Sequence, residues 1–293
     1  MRWAVAGYGD VVTRRVLPAL AESGEEVAYV WGRDAGRAAR TAAAHGAASG
    51  GDDTGRLFVG VDAVYVATPV VAHVPLAARA LGAGCHVLVE KPLAGALGGG
   101  AALAARARAA RRCAGVAYYR RLGPAARWLA SALRDGASHL RVDFRAPFDP
   151  GPEHPMRWRT DPAVAGGGVL ADAGSHRLDL LLGALGRPSH VASRVDRRFP
   201  AGCERRAWLT LEWASGVTAV CCFAWAEGPV RDRFEARAAG RSYVLDPLDA
   251  GAVSNPHLPL IADFVAAAGE GRAPVCPLAE AALVDEVIAA ALA

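Results

Sequence analysis

Three short stretches of the 293-residue chain carry residue types at spacings that suit chemistry. Glu90-Lys91-Pro92 directly follows the apolar run that begins at His86. In a parallel α/β sheet, ligands bind outside the carboxyl ends of the strands, so topology alone places Lys91 well. An ammonium there can polarise a carbonyl or lower the pKa of an alcohol. Asp172, His176 and Asp179 stand at i, i+4 and i+7 and share one face of a predicted helix, with Leu170, Leu178, Leu181, Leu182 and Leu185 on the opposite side packing inward. Imidazole titrates near pH ~6.5, so a histidine between carboxylates is an acid–base arrangement; a solvated polar face is the plainer alternative. An Asp/His pair one turn apart can also ligate a metal, but no third protein ligand is identifiable and no metal is expected.

The third stretch is Gly7-Tyr8-Gly9-Asp10-Val11-Val12, between a strand-like segment and a helical one. Two glycines permit a tight turn and let backbone N–H groups approach a pyrophosphate at a helix N-terminus. Val12 departs from the pattern, because Gly or Ala at that position allows the closest helix–strand packing. An acidic side chain at the end of the second strand would read a ribose 2′-hydroxyl. Here that region is Gly32-Arg33, which suits a 2′-phosphate. Asp34 is expected to cap the next helix instead. NADP is therefore favoured over NAD, with a plain surface role for Arg33 as the alternative.

The elements that must position these residues follow from periodicity. Strand-like runs at Arg2–Ala6, Val27–Trp31, Ala63–Ala67, His86–Glu90 and Gly115–Tyr119 alternate with helical stretches at Val11–Ser23, Asp34–His45, Val74–Leu81 and Leu93–Ala110. The last of these is weakened at Gly98-Gly99-Gly100 by roughly 1 kcal/mol per glycine. This alternation predicts a doubly wound parallel sheet of Rossmann type over residues 1–119. Beyond it come helices at Pro124–Arg134 and Val169–Leu185, then strands at His139–Phe144, His190–Arg198, Ala207–Trp213, Val217–Trp225, Asp232–Ala238 and Ser242–Val244. Ala214-Ser215-Gly216 reads as a hairpin turn. Residues 120–293 are predicted to form an α+β domain with a large, mainly antiparallel open sheet, closed by helices at Leu258–Gly269 and Leu278–Ala293.

Bulk properties exclude several classes. A hydrophobic fraction of 53% excludes a disordered chain. The net charge of +4 is carried mostly by scattered arginines without interleaved aromatics, so nucleic acid is not an expected partner. The six cysteines form no CxxC pair, which points to thiols in a reducing compartment rather than a zinc or redox motif. No signal-peptide pattern opens the chain, and no apolar run approaches the ~18 residues of a membrane span, so a cytoplasmic protein with no membrane association is expected.

Taken in order, several stretches resemble the Gfo/Idh/MocA family of oxidoreductases. They are the Gly7–Val12 turn, Val66-Ala67-Thr68-Pro69 with His73, the segment His86–Pro92, the segment Gly166–Asp179, and Asp263-Phe264-Val265 with Glu270-Gly271-Arg272-Ala273-Pro274. The resemblance implies an NAD(P)-dependent dehydrogenase or reductase whose site lies between two domains. Its substrate would be a small polar molecule: a sugar, cyclitol or related carbonyl or alcohol. It further implies that Thr68, Pro69, His73 and Glu90 border the cofactor and that Lys91 touches both the nicotinamide ribose and the reacting oxygen. His176 would be the general acid or base, Asp172 would contact substrate or tune His176, and Asp179 would be structural. Tyr119, Arg120, Trp158 and Arg159 are candidate substrate contacts. Arg159 suits a carboxylate or phosphate but equally a surface acid. A homodimer or homotetramer through the C-terminal sheet is implied as well. An imine or biosynthetic-intermediate reductase, a non-redox lyase or cyclase, and a non-catalytic nucleotide-binding regulator stay open as alternatives.

Overall fold

The computed structural model describes every residue except Ala239 and Leu248. Its first stretch contains β1 (Arg2–Ala6), α1 (Leu17–Glu22), β2 (Glu26–Trp31), α2 (Ala35–Ala44), β3 (Gly50–Gly51), β4 (Ala63–Val66), α3 (His73–Gly82), β5 (His86–Val89), α4 (Gly100–Ala110) and β6 (Ala114–Val116). All neighbouring strands pair in parallel, in the order β3-β2-β1-β4-β5-β6. The four residues of β4 are buried, as the unbroken apolar run requires of a strand covered on both faces. The two-residue β3 is absent from the sequence expectation, because Gly50-Gly51 has no side chains to create a period.

The helix expected over Leu93–Ala110 starts only at Gly100. Gly95, Gly98 and Gly99 adopt positive φ of 54°, 78° and 91°, which no helix interior accommodates.

The second stretch contains α5 (Pro124–Arg134), β7 (His139–Ala146), α6 (Pro162–Ala165), α7 (Ser175–Leu185), β8 (His190–Arg198), β9 (Glu204–Glu212), β10 (Thr218–Trp225), β11 (Arg231–Ala238) and β12 (Arg241–Leu245). Its sheet runs β12-β11-β7-β10-β9-β8 and is antiparallel except where β7 lies parallel to β10. The helices α8 (His257–Glu270) and α9 (Leu278–Leu292) end the chain. Among the described residues, no helix is long and apolar enough to cross a membrane.

The chain divides into two compact units. One comprises Met1–Leu93, Gly99–Leu122 and Val253–Ala282; the other comprises Ala94–Gly98, Gly123–Ala252 and Leu283–Ala293. A single boundary between residues 119 and 120 therefore does not describe the chain. The apolar face of α8 explains the return: Leu260, Ile261 and Phe264 are buried in the first unit's core with Trp3, Val5, Val12 and Tyr65. Phe264 packs on Trp3 with ring centroids 5.6 Å apart.

Candidate active site

In the first unit, the glycine turn is shaped by its neighbours. Gly7 has φ of 124°, and a Cβ there would come within 2.3 Å of the Ala67 carbonyl oxygen. A Cβ on Gly9 would meet nothing within 4 Å, so space lies open where the first helix begins. The Val12 departure is absorbed locally. Its side chain is fully buried, and the helix opens there with a π turn, Val12–Val16, wider than an α turn. At the end of β2 the Tyr8 ring lies against Gly32, so closely that a Cβ on Gly32 would fall 1.7 Å from the ring. Asp34 caps α2, as expected, by accepting from the Arg37 amide at 2.8 Å. Arg33 is exposed.

The strand ends behind this turn are tied together by buried side chains. His73 is 1% exposed, and its two ring nitrogens lie 2.9 Å from the Pro92 carbonyl and 2.8 Å from the Thr68 carbonyl. Burial lowers its pKa, with partial compensation from those carbonyls, so the neutral ring donates to one of them. His73 thus staples the Thr68 loop to the turn after β5. Pro69 starts the short turn Val70–Ala72 that precedes α3. The Thr68 hydroxyl is buried without a hydrogen-bond partner among the described residues.

Glu90 is buried at the carboxyl end of β5. It accepts from the Tyr65 hydroxyl at 2.7 Å and from the Lys91 amide at 3.2 Å, and its Oε1 lies 3.1 Å from His257 Nε2. Burial raises its carboxyl pKa, but the hydrogen bond and charge of His257, with Tyr65 and Lys91, outweigh burial and hold it below the ordinary value. The Tyr65 hydroxyl is pushed well above its usual value, first by burial and then by Glu90. His257, to which the sequence assigned no role, also packs against the half-buried Tyr119 ring at 5.2 Å. Arg120 is buried. The Lys91–Pro92 peptide is cis, and the Lys91 side chain is partly exposed.

In the second unit, a Cβ on Gly168 would fall 2.0 Å from the Glu204 carbonyl oxygen. The Glu204 carboxylate, 1% exposed, accepts from the Gly168 amide at 2.8 Å and the Leu170 amide at 2.9 Å. It anchors the start of a π turn, Leu170–Gly174, that runs into α7. The expected two-faced helix is not what forms: Ser175 to Leu182 are all buried, Asp179 at 0% exposure, and Asp172 alone of the three acid–base candidates is partly exposed. The π turn also breaks the 3.6-residue spacing that placed Asp172 above His176. Arg177, on the same helix, is buried by pairing with Asp232 at 2.5 Å.

Arg159 resolves toward an acid of the chain itself: its guanidinium lies 3.1 Å from the Asp172 carboxylate. It follows Trp158 in the turn Arg157–Thr160. The segment Ala94–Gly98, which begins three residues after Lys91, joins this unit. Asp285 accepts from the Ala94 and Gly95 amides at 2.9 and 2.8 Å, and the Ala96 amide donates to the Gly166 carbonyl at 2.7 Å. Gly95 and Gly166 approach so closely that a Cβ on either would lie 2.5 Å from a backbone oxygen.

Glu204, Asp285 and His257 were not legible as site residues, because each acts on a partner distant in sequence. The residues present fit a dinucleotide at the first unit's glycine turn: the room at Gly9, the partnerless Thr68 hydroxyl and the backbone N–H groups at the helix start suit a phosphate-bearing ligand.

Comparison with known proteins places these features in context. The profile of an oxidoreductase family with an NAD-binding Rossmann fold matches residues 1–118, and that of the GFO/IDH/MocA C-terminal domain matches residues 136–241. A dTDP-3,4-didehydro-2,6-dideoxy-alpha-D-glucose 3-reductase of Streptomyces antibioticus is 38% identical over 203 residues, 68% of this chain but only 61% of its own length. D-xylose 1-dehydrogenase (NADP(+)) 2 of Haloferax volcanii is 30% identical over 226 residues, covering 75% of this chain and 68% of its own. The fold matches that of KijD10, a 3-ketoreductase from Actinomadura kijaniata solved with NADP and TDP-benzene, with a TM-score of 0.84 at 24% identity over 99% of this chain and 96% of that one.

Proposed function

We propose, from the premise that this chain belongs to the Gfo/Idh/MocA family of NAD(P)-dependent oxidoreductases, that it is a dehydrogenase or reductase acting on the carbonyl or alcohol of a sugar. The observation that carries the reading is Lys91, set at the carboxyl end of β5 with its amide on the buried Glu90 carboxylate. The names of relatives support a sugar, and the Streptomyces relative favours one that is nucleotide-linked.

A bound nicotinamide dinucleotide supplies or accepts hydride at its C4. In the reducing direction, Lys91 hydrogen-bonds the substrate carbonyl oxygen and stabilises the negative charge that develops on it. His176 delivers the proton to that oxygen and is left neutral. In the oxidising direction it takes the proton back. Asp172 contacts substrate or orients His176, and Arg159 holds Asp172 in place through their ion pair. Tyr119 and Trp158 are the proposed apolar contacts to the sugar, and Arg120 shapes the segment that carries Tyr119.

NADP is the proposed cofactor. The chain offers Gly32-Arg33 where a 2′-hydroxyl reader would stand, and the nearest carboxylate, Asp34, is used as a helix cap. A homodimer or homotetramer through the outer face of the second sheet is also proposed. That face carries Val220 and Val244, each about half exposed.

Titration of the purified protein with NADPH and NADH, then a screen of free and nucleotide-linked keto sugars followed by reduced-nicotinamide absorbance, tests the reading. Binding of NADPH and turnover of a keto sugar are expected. Arg33→Ala should weaken NADPH binding by about tenfold and NADH binding little. Equal losses would remove Arg33 from 2′-phosphate recognition, and a protein that binds neither dinucleotide would end the proposal.

A further inference from the structure

Glu90 precedes Lys91 directly, and the hydride chemistry proposed above gives it no step. Its carboxylate is enclosed by donors. Oε1 accepts from the Tyr65 hydroxyl on β4 at 2.7 Å and faces His257 Nε2 at 3.1 Å, while Oε2 accepts from the Lys91 amide at 3.2 Å. His257 lies 167 residues further along the chain, at the first position of α8, and is 1% exposed. Its surroundings fix it. The Asn255 side chain accepts from the His257 amide at 3.1 Å and donates to the Arg15 carbonyl at 2.9 Å, and the Tyr119 ring packs on the imidazole at 5.2 Å. Nδ1 of His257 is buried without a hydrogen-bond partner among the described residues, so a proton there would go unsatisfied. The neutral ring therefore carries its proton on Nε2 and donates it to Glu90.

This pair is not needed to anchor α8, because Leu260, Ile261 and Phe264 already bury the helix in the first unit's core. A buried ionic contact is also a weak source of stability, since desolvation offsets the attraction. Its specific effect falls on the other oxygen of the same carboxylate, which holds the Lys91 amide. The Pro92 carbonyl lies 2.9 Å from the His73 ring, so the Lys91-Pro92 dipeptide is held at both ends.

We infer that His257 and Tyr65 are positioning residues for Lys91: they fix the Glu90 carboxylate, which holds the Lys91 amide and sets a buried negative charge beside the ammonium. This inference rests on the reading of Lys91 given above. A buried carboxylate deprived of its donors is driven toward the neutral form or turns away from its site. The Lys91 amide then loses a charge-assisted acceptor, and the ammonium loses both its counter-charge and its place. A reacting group displaced by about 1 Å can cost a hundredfold in rate, so partial release of the turn is expected to cost about tenfold.

The test uses the full chain and needs no ligand for its first readout. Lys91 is the only lysine, so protein grown on nitrogen-15 lysine shows one backbone amide cross-peak, whose proton lies downfield while it donates to a carboxylate. His257→Gln and His257→Met are similar in size and flexibility, and only the former keeps a donor. The methionine variant should move the cross-peak upfield and lower kcat for the keto sugar by about tenfold with KM within about twofold; the glutamine variant should recover most of both effects. Ile261→Val, one turn along α8, should lower thermal stability without moving the cross-peak or kcat. Should the methionine variant not fold, Tyr65→Phe removes the other donor to Oε1 and must move the cross-peak and kcat in the same directions. An unmoved cross-peak, an unchanged kcat, or glutamine and methionine variants equally impaired would overturn the inference and leave the reading of Lys91 standing. A wild type that turns over no keto sugar would overturn that reading, and the positioning role with it.

Discussion

Lys91 is the only lysine among the chain's 33 basic residues; every other one is arginine. Arginine serves wherever a fixed cation is enough, as in the pairs with Asp172 and Asp232. The one position that keeps an ammonium is the one proposed to meet a reacting oxygen, where a compact donor suits the chemistry. Its solitude makes a direct measurement possible. Reductive methylation with a carbon-13 label places one side-chain signal on Lys91 beside that of the N-terminal amine. NADPH should move the Lys91 signal and leave the N-terminal one in place. A Lys91 signal indifferent to saturating NADPH would separate this residue from the cofactor.

At this scale the sequence was informative where local backbone geometry demands a residue type in a short motif, as with Gly7, whose positive φ and close approach to Ala67 leave no room for a side chain. It was silent where a carboxylate serves backbone amides far away. Nothing local to Glu204 announces Gly168 and Leu170, and nothing near Asp285 announces Ala94 and Gly95.

The elements carry the second layer of the account. Asp285, on α9, holds the segment that follows the lysine turn. Burial pushes its carboxyl up to about 8, against the opposing pull of the two amides it accepts from. A carboxyl whose folded pKa exceeds its unfolded value binds more protons when folded. Its contribution to stability is full below the unfolded value near 3.8 and is lost as pH rises through about 8. Thermal melts of wild type and Asp285→Asn across this range should show a stability loss toward alkaline pH in the wild type that the variant lacks. Parallel curves would place the titration elsewhere.

Helix α8 is secured differently, by apolar packing. Phe264→Ala should lower stability by about 3–5 kcal/mol, as removal of a fully buried ring does, and a denaturant titration measures it. The periodicity of α8 was readable, but its destination in the first unit was not, because an amphipathic face does not name the sheet it covers. The same limit applies to α7. The alternation of leucine with Asp172, His176 and Asp179 suggested one wet face, yet buried pairing of Arg177 with Asp232 accompanies enclosure of the stretch from Ser175 to Leu182.

For the whole molecule, both sheet types were legible: period-free apolar runs gave the parallel sheet, and long alternating strands gave the open one. The division of the chain was not, because residues 94–98 and 253–282 leave their sequence neighbours. The outer face of the second sheet, with Val220 and Val244 about half exposed, is proposed to meet a second copy. Light scattering should give a mass that is a multiple of one chain, and Val220→Arg should shift it toward a single chain; a monomeric wild type would contradict the assembly.

The measurement that bears most directly on the central claim is single-turnover reduction of the keto sugar identified by screening, comparing wild type with Lys91→Met and His176→Ala at saturating NADPH. The account predicts that each substitution slows hydride transfer by about a hundredfold or more, and that His176→Ala changes NADPH affinity by less than about threefold. Wild-type transfer rates in either variant would contradict it.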